Sequence, residues 1–510
     1  MHTPTINPNL ARTLLRRAHL NPERLALIFE DQRIGYAEMA DRVRRQATLL
    51  RESGVCVGDR VGFLGFNQPA FLETLFAANA LGAIFVPLNF RLTGEELSFI
   101  INDAGVHTLV ADQELRPVID EVKDKLCCRN YFGAETGAEG WRDLLAERAQ
   151  AEPLAEEVSV DVHDVSLIMY TSGTTGLPKG AMLTHGNLMW NNINAHFTFA
   201  ADRDSVHLTV APLFHIGGLN VSTLHSFTLG STLVLMRAFE PGAVLAAFDE
   251  HKVTHMFGAP AMFLFMSQHE EFDSTDFSSV VTFVCGAAPP PESLLTLYAD
   301  RGISFCQGYG LTETAPFGSF LTPEWSLSKL GSAGQPAIYS ELRIVDDNNE
   351  PLPAQEKGEI CLRGPNIMKG YWNRPDATAE AIDTQGWFHS GDVGYLDEDG
   401  FLYICDRLKD MVISGGENVY PAEVESVLYK HDAIAEVAVI GLPDEKWGEA
   451  VTAVAALNAG CSLTLEELRD FAESQLARYK LPLRLHIVDE LPRNPAGKVL
   501  KFVLKEQLSE

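Results

Sequence analysis

A chain of 510 residues exceeds what one hydrophobic core supports, so two or more domains are expected. Its formal net charge of −29 excludes nucleic acid as a natural partner, because phosphate neutralisation takes a basic surface, and it disfavours an anionic membrane. Hydrophobic residues make up 46%, yet no apolar run approaches the roughly 20 residues that span a bilayer, so no integral membrane segment is expected.

The first twenty residues carry Arg12, Arg16 and Arg17 but no apolar signal core, and the eight cysteines show no CxxC or Cys/His metal spacing. A cytoplasmic protein with reduced thiols is the expectation. Met39, Val43, Ala47 and Leu50 form a helical stripe over 36–50. Residues 61–64 read as a short strand, 69–81 as a helix and 83–88 as a buried strand. A helix over 93–103 opens on Thr93 and Glu96 in capping-box spacing, and 107–111 is the next strand. Such alternation predicts parallel sheets covered by helices. Residues 133–164 are acidic and weakly periodic, and read as a connector. Asp397 to Gly400 is a turn signal between two strands. Beyond the charged joint Asp406-Arg407-Leu408-Lys409-Asp410 lie about 100 residues of α+β pattern, a domain's worth. The predicted organisation is a large multi-layer α/β domain over 1–408 and a small mobile α+β domain over 409–510.

Residues 170–180 read YTSGTTGLPKG, with Thr171, Ser172, Thr174 and Thr175 as hydroxyl donors, Gly173, Gly176 and Gly180 as flexible points, and Lys179 as the cation. Glycine lets successive N–H groups turn inward, and hydroxyls and an ammonium add donors, which describes a loop that wraps a polyanion. The apolar run 165–170 is the strand that delivers it. Lys179 is followed by Gly180 and not Ser/Thr, so this is no Walker A loop. Downstream, Gly308-Tyr309-Gly310-Leu311-Thr312-Glu313-Thr314 sets a carboxylate beside a hydroxyl after a Gly-aromatic-Gly turn, which suits a hard magnesium ion shared with a triphosphate. Ser390-Gly391-Asp392 offers an Asp able to accept from two ribose hydroxyls. Near the end, Pro492-Arg493-Asn494-Pro495-Ala496-Gly497-Lys498 carries a lysine on a Gly-containing loop.

The loop at 170–180 resembles the phosphate loop of the adenylate-forming superfamily, which includes acyl-CoA synthetases, nonribosomal-peptide adenylation domains and firefly luciferase. All four signatures occur in that family's order and cover nearly the whole chain. The resemblance implies an acyl-CoA synthetase-like fold and ATP, Mg2+ and coenzyme A as cofactor and co-substrates. It makes Glu313 and Thr174 the metal-side residues and puts Thr312 near the α-phosphate. Gly286, Ala287 and Ala288 would lie along the adenine edge, and Asp392 and Arg407 at the ribose. Lys498 becomes the adenylation lysine, which bridges carboxylate and α-phosphate where two anions converge. Lys409 would be the hinge, and Gly416 would line a pantetheine tunnel that a side chain would block. Trp447 and Arg478-Tyr479-Lys480 would be weaker contacts for the CoA nucleotide.

Ala211 to Gly218 resembles the family's acyl-pocket segment. His215 stands where amino-acid-activating relatives carry an Asp, so a substrate ammonium would be buried unpaired. The run 255–260 suits an apolar wall. The expected reaction is AMP-forming ligation of a medium- to long-chain or cyclic fatty acid to CoA. An aromatic acid, or delivery to a carrier protein, are the alternatives. No insertion of the kind that marks carrier-protein loaders is seen, which favours free CoA. A non-catalytic nucleotide sensor is the competing class, and intact Lys498, Glu313 and Asp392 speak against it. Assembly as a homodimer stays open at this stage.

Overall fold

The computed structural model describes residues 7–171, 178–303, 305–407, 410–414, 417–444, 446–473, 475–476, 478–493 and 499–508. The chain divides into two compact units, Met1–Leu342 with Leu362–His389, and Arg343–Cys361 with Ser390–Glu510. The segments Arg343–Cys361 and 390–408, which the sequence reading kept in the large domain, therefore group with the smaller unit.

In the larger unit, eight strands form one sheet among the described residues. Arg60–Leu64, Ile84–Leu88 and Val106–Ala111 pair in parallel, the arrangement that strand–helix alternation predicts. Ile84–Leu88 is buried along its whole length, as expected of a parallel strand covered on both faces. The helix Pro69–Ala80 is likewise buried at every position, so it shows no amphipathic stripe. Thr93 and Glu96 make the capping box that their spacing predicts, ahead of the helix Gly94–Ala104. The segment read as a connector departs from expectation. Asp143 caps a short helix, Leu144–Gln150, in which Leu144 alone is buried. One buried side chain leaves no periodic signal to find.

The second sheet of this unit includes, in spatial order, Phe317–Leu321, Phe305–Gly310, Thr282–Gly286, His255–Gly258, Val206–Thr209 and Thr232–Leu235. Pairing is parallel from Phe305–Gly310 through to Thr232–Leu235. Phe317–Leu321 then returns antiparallel. Ligands of such sheets bind beyond the carboxyl ends of the strands. Gly258, Gly286 and Gly310 all stand at those ends.

In the smaller unit, Ile434–Asp444 and Gly448–Leu457 form a long antiparallel pair, with Arg484–Ile487 parallel alongside the second strand. Helices Pro421–Leu428 and Leu465–Ala472 contribute Val424, Leu428, Leu468 and Ala472 to one apolar cluster, and Leu504 of Lys501–Leu508 belongs to another.

The larger unit also buries several imidazoles. His207 packs against His255 and His225 with ring centroids 5.0 and 5.8 Å apart. Leu10 N–H donates to His185 Nδ1 at 3.1 Å, which needs a neutral ring. Burial lowers His185 to about 4 and His225 to about 3, and holds His207 well below the usual value. Their folded values lie below the unfolded one, so the unfolded chain takes up the extra protons in acid. Stability is intact above the ordinary histidine value of 6.5 and is lost as pH falls toward the folded values. The melting temperature is therefore expected to drop between pH 7.5 and 5.5, by roughly 1 kcal/mol of stability for each such histidine. His225→Phe should show a smaller drop in the same calorimetric series.

Candidate active site

Lys179 opens the strand Lys179–Thr184, which runs back antiparallel to Val165–Thr171, with Thr171 paired to Lys179. The chain from Lys179 onward is thus a strand and not a helix, as the lack of a Walker A ending requires. Ser172, Gly173, Thr174, Thr175 and Gly176 lie outside the described residues.

A strap of the chain laces this hairpin to Glu313. Gly370–Tyr371 pairs antiparallel with Lys179–Thr184, Lys369 N–H donates to Met182 O at 2.9 Å, and Trp372 N–H donates to Gly180 O at 2.7 Å. On its other side Met368 N–H donates to Glu313 O at 2.8 Å. Asn366 Nδ2 donates to the carbonyls of Thr314 and Phe317, both at 2.7 Å. Thr312–Thr314 is a single tight turn that carries Glu313, which is 7% exposed. Tyr371 Oη donates to Glu313 Oε1 at 2.8 Å, and Lys179 Nζ stands 5.3 Å from the centre of the same tyrosine ring. Burial and the carboxylate beside it push the Tyr371 hydroxyl far above its ordinary range, so it stays a donor. A buried, oriented carboxylate oxygen is the kind of ligand that a hard divalent cation of the magnesium type accepts.

Two neighbouring strand ends supply a backbone floor. Gly286 pairs with Gly308, and a Cβ at Gly286 would lie 3.0 Å from Gly308 O. Ala287 follows with a positive φ of 70°, and both it and Ala288 are exposed. Tyr309 and Gly310 complete Phe305–Gly310, and Leu311 N–H donates to Thr314 Oγ1 at 2.8 Å. At Gly310 a Cβ would fall 1.7 Å from Pro316 O, so only glycine lets the chain double back into the Glu313 turn.

His215 packs on Phe214 with ring centroids 4.4 Å apart. Its Nε2 is buried and has no hydrogen-bond partner among the described residues, and burial, aided by the Arg91 charge, lowers its pKa to about 4. The imidazole is neutral at physiological pH, so it is a wall and not a cation. The ring of Phe257 fills the space in front of two glycines. A Cβ would lie 2.8 Å from that ring at Gly217 and 3.2 Å at Gly286. Val221, Val284 and Phe317 belong to the apolar cluster against which Phe257 packs. Gly217, two residues after His215, and Gly286 thus both meet the ring of Phe257.

In the smaller unit, Asp392 is 6% exposed, and its strand Phe388–Leu396 pairs antiparallel with Leu402–Arg407. The register sets Asp392 directly opposite Arg407, the two residues linked to one ribose by the sequence reading. Lys409, Gly416 and Lys498 lie outside the described residues.

A family model described as AMP-binding enzyme matches residues 14–372, and one described as AMP-binding enzyme C-terminal domain matches 423–498. The chain belongs to the AMP-binding enzyme family. It is 44% identical over 495 residues to a feruloyl-CoA synthase of Amycolatopsis sp., covering 97% of this chain and 98% of the relative. It is 38% identical to a long-chain-fatty-acid–CoA ligase of Mycobacterium tuberculosis, covering 98% and 99%. Among solved structures, an o-succinylbenzoate coenzyme A synthetase of Bacillus subtilis, in complex with ATP and magnesium ion, aligns with a TM-score of 0.86. The two are 34% identical, and the alignment covers 98% of this chain and 99% of that one.

Two residues of this AMP-binding enzyme escaped the sequence reading. Tyr371 lies 58 residues from Glu313, in a Gly-Tyr-Trp stretch that has no period or charge to mark it. Arg91 is exposed, with its guanidinium 4.9 Å from the Phe90 ring centre and 5.7 Å from that of Phe214, and no carboxylate pairs with it among the described residues. An arginine directly after a phenylalanine is the faint local signal. Gly310→Ala is expected to displace the Glu313 turn, lowering the melting temperature and cutting ATP-dependent turnover by about a hundredfold or more. Scanning calorimetry and pyrophosphate release measure the two effects.

Proposed function

We propose that the protein is an AMP-forming acid–CoA ligase whose acid is aromatic. The carrying observation is the pair of residues that line the acyl segment in the sequence reading, the neutral His215 and the partly exposed ring of Phe257, which bring no charge to it. Flat apolar walls with no buried counter-charge suit a planar ring better than a cationic or strongly polar acid. The 44% identity to a feruloyl-CoA synthase supports the same class. The fatty acid expected from the sequence is the second reading, favoured by the 38% identity to a long-chain ligase and by the depth of apolar residues behind Phe257.

The proposed chemistry runs in two halves. A carboxylate oxygen attacks the α-phosphorus of ATP, pyrophosphate leaves, and acyl-AMP forms. The thiolate of CoA then attacks the acyl carbonyl, and AMP leaves. Lys179 and the loop hydroxyls Thr171, Ser172, Thr174 and Thr175 hold the phosphates, and Thr312 stands by the α-phosphate. Glu313 and Thr174 hold magnesium, which when bound neutralises charge on phosphate oxygens. Asp392 and Arg407 grip the ribose, and Gly286 to Ala288 flank the base. Lys498 offsets the repulsion between carboxylate and α-phosphate. Rotation of the segment 409–510 about Lys409 would withdraw Lys498 and bring Gly416 into place, so that one centre serves both halves by gating.

Lys498→Ala is expected to abolish acyl-AMP formation while sparing thioester formation from supplied acyl-AMP. Equal loss in both assays would remove the assignment. A CoA-ligation screen across hydroxycinnamic, arylacetic and C6–C16 straight-chain acids should give the highest kcat/KM with an aromatic acid. A straight-chain optimum would overturn the aromatic reading and leave the ligase reading standing.

A further inference from the structure

We infer that Tyr371 is a positioning residue for the metal and the phosphate loop together, through its hydroxyl on Glu313 and its ring beneath Lys179. The inference rests on the reading of Glu313 as a metal ligand. Three observations carry it. The hydroxyl donates to Glu313 Oε1 at 2.8 Å, so it fixes the rotation of a buried carboxylate. The ring centre lies 5.3 Å from Lys179 Nζ, within the range in which an ammonium is drawn to an aromatic face. The backbone of Tyr371 sits on the strand paired with Lys179–Thr184, so both contacts are set by one short piece of chain.

The hydroxyl is not needed to hold the strap itself. Tyr371 N–H donates to Thr378 Oγ1 at 2.9 Å, and the flanking bonds from Lys369 and Trp372 are all backbone bonds. Asn187 Nδ2 further ties the strap through the carbonyls of Pro365 and Ile367, at 2.9 and 2.7 Å. A role limited to folding would be served by any side chain that filled the space. The hydroxyl instead meets the one carboxylate of the tight turn, as expected of a group that orients a ligand oxygen from outside the coordination sphere. The ring and the hydroxyl thus act on different partners, and two substitutions separate them.

Purified full-length enzyme is titrated with Mn2+ in the presence of α,β-methylene-ATP, with free Mn2+ read by electron paramagnetic resonance. Binding of the analogue without metal is followed by calorimetry. Tyr371→Phe keeps the ring and loses the hydroxyl. It is expected to weaken Mn2+ binding about tenfold or more, with metal-free analogue binding and melting temperature close to wild type. Tyr371→Leu loses the ring as well and should also weaken metal-free analogue binding, because Lys179 loses its platform. Adding Tyr371→Phe to Glu313→Gln should cost no further Mn2+ affinity. If Glu313→Gln loses Mn2+ while Tyr371→Phe binds it within about twofold of wild type, the inference is overturned and the reading of Glu313 stands. If Glu313→Gln binds Mn2+ normally, the metal reading fails first and the inference falls with it. Equal loss of metal and analogue binding in Tyr371→Phe, with a lowered melting temperature, would show a purely structural residue and also overturn it.

Discussion

The hydrogen bond between Tyr371 and Glu313 couples the strand that pairs with Lys179–Thr184 to a turn joining two strands of a different sheet. Lys179 and Glu313 have opposite charges and lie far apart in sequence, and neither side chain alone would hold a fixed place near solvent. The strap solves this with backbone bonds on both sides and one aromatic residue between them. A protein with a net charge of −29 has no general attraction for a polyanion. Cations that meet such a ligand must therefore be aimed, and aiming requires rigid neighbours.

The sheets supply that rigidity. Parallel strands deliver Gly258, Gly286 and Gly310 to one edge, where the chain leaves the sheet and can approach a ligand with bare backbone. The antiparallel return of Phe317–Leu321 then folds the Glu313 turn back over the same edge, and the absence of a side chain at Gly310 permits the reversal. The apolar cluster beneath, from Val221 to Phe317, gives the pocket wall a well-packed backing.

Much of this was legible from local chemistry. The Thr93–Glu96 cap, the buried strand ahead of the phosphate loop and the turn at Asp397–Gly400 each depend on neighbours within a few residues. The pairing of Asp392 with Arg407 was anticipated only as a shared ligand, and the hairpin register puts the two opposite one another. Features built by distant contacts stayed hidden. Tyr371 reaches Glu313 across 58 positions, and the stacked pair His207 and His255 comes from two strands adjacent only in space. Helix Leu144–Gln150 was missed because a single buried leucine sets no period. The segment Arg343–Cys361 joins its unit through space and not through sequence, a grouping no local pattern marks.

His215 has a consequence for recognition. An imidazole held near pKa 4 keeps one electrical state from mildly acidic to alkaline solution. It can neither attract an incoming carboxylate by charge nor repel a neutral ring when the surroundings acidify. This face of the chain is thus electrically constant at His215 across the span in which cellular acidity varies.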